Sequence, residues 1–101
     1  TKLKQELTNR NIIFEQEVCP LLHINKRYRA DILIRDKRTI IEINGSQHYK
    51  NNKDYTLEKY YQIRHDLLVE NGWTVLEIPA HFIYKEGFVD NLLKQILIEI
   101  V

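Results

Sequence analysis

Apolar and polar positions along the chain change their spacing several times, and each change marks an element. Leu3 and Leu7 stand four apart among polar residues, which predicts a short helix over 2–9. From residue 12 the period falls to two. Ile12, Phe14, Gln16 and Val18 alternate with their neighbours and predict an edge strand that ends before Cys19-Pro20. YRADILI (28–34) predicts a second strand, with Ala30, Ile32 and Ile34 on one face and Asp31 and Leu33 on the other. A polar turn at 35–38 leads to TIIEIN (39–44), a third strand with Ile41 and Ile43 on one side and Ile40, Glu42 and Asn44 on the other. Gly45-Ser46 ends it, and a polar loop runs to Asp54, the expected N-cap of a helix over 55–71. Leu57, Tyr60, Tyr61, Ile63, Leu67 and Leu68 recur there at helical spacing before Gly72 stops the helix. WTVLEIP (73–79) predicts a strand, and Leu92, Leu93, Ile96, Leu97 and Ile100 an amphipathic helix over 89–100.

The order is helix, three strands, helix, strand, helix. The long helix then serves as a right-handed crossover returning the last strand parallel to the third, which predicts an α/β domain with a mixed four-stranded sheet. A length of 101 residues gives room for one core and not two, so residues 1–101 read as a single domain. No stretch approaches a membrane span and no signal-peptide pattern opens the chain. The lone Cys19 cannot form an internal disulfide, so an intracellular, cytoplasmic setting is the expectation. The chain has no methionine even at position 1, and the expectation is a fragment of a longer protein. Net charge of +1 excludes a general attraction to polyanions. Any nucleic-acid surface must be local: Lys26, Arg27, Arg29, Arg35, Lys37 and Arg38 form one basic segment, and Lys50 with Lys53 a second.

Candidate chemistry centres on two carboxylates. A hairpin closing near Asp36-Lys37 places Asp31 opposite Glu42 within about one residue pair. Opposed carboxylates repel, and a shared Mg²⁺ (or Mn²⁺) would remove the repulsion while keeping waters for a phosphodiester substrate. The plainer reading is that Asp31 caps a turn and Glu42 bonds a surface lysine. Against it, Glu42 lies among isoleucines, where an unpaired charge is costly. His48, just past the third strand, could exchange a proton with water or leaving group. Asn44 shares the face of Glu42 and could orient a water or phosphate oxygen. Gln47, Lys50 and Lys53 occupy the same loop and suit phosphate contacts. His23, His65 and His81 read as ordinary surface histidines, and Trp73 as a core anchor.

Asp31 followed by Glu42-Ile43-Asn44 one hairpin later resembles the metal-binding core of PD-(D/E)XK nucleases. YRADILIRDKRTIIEINGSQHY, with Arg64, Leu68 and Gly72 at Arg-x-x-x-Leu-x-x-x-Gly spacing before GWTVLEIP, is similar to the very-short-patch-repair branch and to EDxHD homing endonucleases. That resemblance implies a restriction-endonuclease-like core in which Asp31 and Glu42 bind Mg²⁺, His48 is the catalytic histidine and DNA is the substrate. Asn44 stands where the motif has lysine, so Lys50, Lys53 or Arg64 would have to supply that charge. Tyr61 stands where branch members often have an acidic residue, and Glu6, Glu15 and Glu17 are candidates for a further acidic position. So small a nuclease domain would draw its specificity from a homodimer or an additional DNA-recognition domain. INGSQHY and GWTVLEIP also resemble the RAP domain, an RNA-associated module of similar fold, which implies nucleic-acid binding without cleavage.

Overall fold

Alternation of Ile32 and Ile34 against Leu33, and of Ile41 against Ile40, requires apolar cover on both faces of the sheet. A computed structural model describes the backbone of residues 2–98 and the side chains of residues 2–96. It supplies that cover as three layers. The central sheet has strand order β1 (Glu15–Val18), β2 (Ala30–Ile34), β3 (Thr39–Asn44), β6 (Thr74–Pro79), antiparallel except for the parallel β3–β6 pair. Helices α1 (Lys2–Asn9) and α3 (Phe88–Ile98) cover one face, where Leu3, Leu7, Ile32, Ile41, Ile78 and Leu93 share a core. Helix α2 (Lys59–Glu70) covers the other, where Leu68 and Trp73 pack on Leu33, Ile40 and Val75. The mixed four-stranded sheet and three helices follow the order expected, and Trp73 is the anchor expected of it. No helix among the described residues is long and apolar enough to cross a membrane.

Several boundaries differ, each for a local reason. The first strand begins at Glu15, not at residue 12, because the Ile12 N–H donates to Leu7 O (2.9 Å) and closes the end of α1 after Asn11 turns left-handed (φ 59°). Ile12 and Phe14 still pack on the core, but from outside the strand. β2 begins at Ala30, and Tyr28 instead meets Tyr60 edge-on (6.2 Å). Ala30 joins the α2-side core with its partner Val18, not the Ile32 side; beside that pair Glu17 takes a left-handed φ of 53° and turns the edge strand.

The loop expected after Gly45 holds a 3₁₀ turn (Ser46–His48) and a small hairpin, β4 (Tyr49–Asn51) with β5 (Thr56–Leu57). Asp54 is therefore not a helix cap. Its Oδ1 accepts from the N–H and hydroxyl of Thr56 (3.1 and 2.8 Å), which fixes the hairpin turn, and α2 starts only at Lys59. Leu57 is buried on β5, whereas Tyr60 and Ile63 lie 58% and 52% exposed on the outer side of α2. Of the apolar positions expected on the last helix, Leu97 and Ile100 lie outside the described side chains.

Gly72 ends α2 as expected, with φ +91° and the Trp73 N–H reaching back to Leu68 O (3.2 Å). Arg38 completes the cap from the β2–β3 turn. Its Nε and Nη2 donate to the carbonyls of Gly72 (2.9 Å) and Asn71 (3.0 Å), and its guanidinium lies 4.4 Å from the Trp73 ring. Gly72→Ala should lower stability by about 1–2 kcal/mol, because the left-handed backbone at this position disfavours a Cβ and the added Cβ would meet Arg38 Nη2 at 3.1 Å. A urea midpoint unchanged in Gly72→Ala would refute this account of the cap.

Candidate functional site

Strand register decides what faces the carboxylates. Ile34 pairs with Thr39, Leu33 with Ile40 and Ile32 with Ile41, so Asp31 does fall opposite Glu42. The backbone ladder stops one pair short of them, and the side chains continue it. Asp31 N–H donates to Glu42 Oε2 (3.3 Å), and Ile43 N–H donates to Asp31 Oδ2 (2.9 Å). Each carboxylate thus binds a backbone amide of the opposite strand, where a regular sheet would use a carbonyl. On the other side of β3, parallel pairing sets Glu77 of β6 beside Glu42. Three carboxylates therefore run across β2, β3 and β6 towards the α2 face.

Helix α2 answers two of them with consecutive residues. Arg64 Nη2 bonds Glu42 Oε1 and also donates to the carbonyl of Arg29 (3.2 Å). His65 Nδ1 lies 2.8 Å from Glu77 Oε2. Glu42 is 2% exposed, and burial pushes its pKa up to about 7 against the opposing pull of Arg64. Burial lowers the pKa of Arg64, but the charge and hydrogen bond of Glu42 outweigh that and hold it above its ordinary value.

This arrangement does not fit a divalent cation. Both Glu42 oxygens accept protein hydrogen bonds, and the Arg64 guanidinium stands on the carboxylate where an ion would sit. Among the described residues no three His, Cys, Asp or Glu side chains form a group that could hold a metal ion. Asn44, expected to orient water or phosphate, is 3% exposed and gives its amide N–H groups to Glu77 Oε1 (2.8 Å) and Tyr49 Oη (3.1 Å). Its place in the sheet is to tie β3 to β6 and to the hairpin. Glu6, Glu15 and Glu17 pair with Arg10, Arg35 and Arg29 respectively.

His48 sits on the 3₁₀ turn with its ring stacked on Tyr61 of α2, centroids 3.8 Å apart and planes 19° apart. Burial first, and Arg64 second, lower its pKa, which favours the neutral imidazole. Tyr61, the departure from the nuclease pattern, is thus the residue that holds the histidine. Two participants escaped sequence reasoning. His65 is a partner of Glu77 and not an ordinary surface histidine, and Glu77 was assigned nothing. A signal existed: TIIEIN and TVLEIP carry glutamate at the same place, and those two strands pair residue for residue.

Beyond the strand ends lies an open groove of about 370 Å³, between the β4–β5 hairpin and the turn after β6. Tyr49, Tyr55, Pro79 and His81 are among its lining residues, together with Asn44 and Gly45 at the end of β3. Gln47, Lys50 and Lys53 are exposed around that hairpin. Neither lysine forms an ion pair with a described residue. The basic segment at 26–38 divides: Arg35 is engaged by Glu15 (2.8 and 3.0 Å) and Arg38 caps α2, while Lys26 and Arg27 remain exposed.

Residues 41–95 match the family described as the RAP domain. No curated protein and no solved structure matches the chain. The family match falls on the second of the two resemblances, spanning β3, the hairpin, α2, β6 and most of α3.

Two outcomes follow from the buried pair. Folded Glu42 holds its proton more tightly than the unfolded chain does. Its contribution to stability is complete below the ordinary value of 4.5 and is lost as pH rises through about 7. Glu42→Gln should therefore flatten the decline of the urea midpoint across that window, and an unaltered decline would place its origin elsewhere. Arg64→Leu should cost about 3 kcal/mol at neutral pH, the low end for breaking a buried pair, because Glu42 can take up a proton. Glu42→Leu/Arg64→Leu should recover part of that loss in the same measurement.

Proposed function

The chain belongs to the RAP-domain family, and from that premise we propose that it is a nucleic-acid-binding module whose ligand is single-stranded RNA. Family membership supports the ligand class. The observation that carries the reading is the placement of exposed Lys50 and Lys53 on the hairpin that walls an aromatic groove. Cations beside ring-lined grooves suit single strands, because lysines take the phosphates while unpaired bases stack on the rings. Duplexes offer no free base faces, so they fit this groove poorly.

The carboxylate row favours binding over cleavage. Its charges are answered by Arg64, His65 and backbone amides, which makes it a brace between α2 and the sheet. A Mg²⁺-dependent nuclease would require Arg64 to leave Glu42. RNA is preferred to DNA on the family alone, and DNA is the comparison arm of the test.

Fluorescence anisotropy with a labelled single-stranded RNA should show affinity that falls with salt and is unaffected by EDTA. Lys50→Ala/Lys53→Ala should weaken binding and reduce the salt slope by about 0.7 for each phosphate left without its lysine. The RNA should remain intact in Mg²⁺. Absence of RNA binding at low salt would refute the proposal. Cleavage of RNA or plasmid DNA that needs Mg²⁺ and is lost in Asp31→Asn would replace it with the nuclease reading.

A further inference from the structure

Tyr55 is an aromatic residue held in left-handed backbone (φ 58°), a conformation that disfavours side chains with a Cβ. Its surroundings over-determine that conformation. The Tyr55 N–H donates to Asn51 O (2.9 Å), and the ring meets Tyr49 and Phe82 edge-on at 5.3 and 5.2 Å. Its hydroxyl lies 3.1 Å from His81 Nε2, and both residues line the groove. Tyr55 and His81 come from separate elements, the hairpin and the turn after β6, and this contact joins the two walls. Backbone strain kept in place by converging contacts is a feature of sites that are shaped before their ligand arrives.

The setting favours a ligand. The groove lies outside the carboxyl ends of the parallel strands β3 and β6, where open α/β sheets gather ligands. Its volume of about 370 Å³ is at the small end of ligand sites, enough for one compact aromatic group. The buried amide of Asn44, which lines the groove, has its N–H groups committed, so rings dominate what the groove offers. Lys50 and Lys53 stand on the same hairpin as Tyr55.

We propose that this groove receives one unstacked base of the bound RNA strand, laid against the Tyr55–His81 pair, with the neighbouring phosphates near Lys50 and Lys53. The inference rests on the RNA-binding reading above and adds the place and the chemistry. Ring contact with few free hydrogen-bonding groups makes the subsite tolerant of base identity. The occupant is a nucleotide within a strand, because the lysines on the hairpin can hold flanking phosphates as well as its own.

The test uses the full chain and a short single-stranded RNA carrying 2-aminopurine, whose fluorescence is quenched by ring stacking. Anisotropy of an end label reports total binding in parallel. Wild type should bind and quench. His81→Ala, which removes an exposed wall, and Ser46→Leu, which narrows the groove with an aliphatic group, should each weaken binding about tenfold. Both should lose the quench while keeping the wild-type salt slope, and Ser46→Leu should also keep the wild-type urea midpoint. RNA binding that produces no quench, or a quench unaltered in both variants, would overturn the subsite and leave the RNA-binding reading intact. No binding of RNA by wild type would overturn both. A free nucleoside monophosphate that reverses the quench at concentrations comparable to the RNA would overturn the strand as occupant.

Discussion

Glu42 is the constraint around which the other polar groups of the sheet are arranged. A carboxylate 2% exposed among isoleucines needs partners on every side, or its desolvation opposes folding. Arg64 meets one oxygen from α2, and Asp31 N–H meets the other from β2. Because Arg64 also donates to the Arg29 carbonyl, one guanidinium joins helix, central strand and the entry to β2. Apolar packing of Leu68 and Trp73 attaches α2 to the sheet. The Arg64–Glu42 pair adds a polar tie between α2 and β3, and His65 with Glu77 adds another to β6 one residue later.

Arg64, His65 and backbone amides bond the row of carboxylates inside the molecule and link α2 to the sheet. About one hairpin along lies the open groove walled by the β4–β5 hairpin. The two regions share Asn44 and Tyr49, so they are mechanically continuous: Asn44 binds Glu77 on the closed side and Tyr49 on the groove side. His48 is stacked on Tyr61, and burial and Arg64 lower its pKa.

Much of this was legible from residue order. Helix and strand types, the parallel return after α2, the Gly72 cap, the Trp73 anchor and the opposition of Asp31 to Glu42 all follow from periodicity and turn chemistry. Residue order favoured the nuclease resemblance, and the family the chain proved to match is the alternative, the RAP domain that INGSQHY and GWTVLEIP also resemble. The β4–β5 hairpin was not legible, because its strands are three and two residues long and too short to display a period. Asp54 misled for a related reason: an Asx turn and a helix N-cap use the same side-chain acceptor, and only the following backbone separates them. His65 was misjudged because its partner lies on a strand whose position depends on the crossover.

Local physics thus determined the elements, their order, the register of β2 against β3 and the presence of a carboxylate that had to be neutralised. Tertiary structure decided what neutralised it. Sequence alone is consistent with a metal ion or a side-chain cation at Glu42, since both answer the same charge. The choice depends on which turn of α2 lies over β3, and that is set by packing between residues far apart in the chain. Placement of Tyr55 against His81, 26 positions apart, is of the same kind. Each residue alone is an ordinary loop aromatic, and only the fold brings the two to one groove.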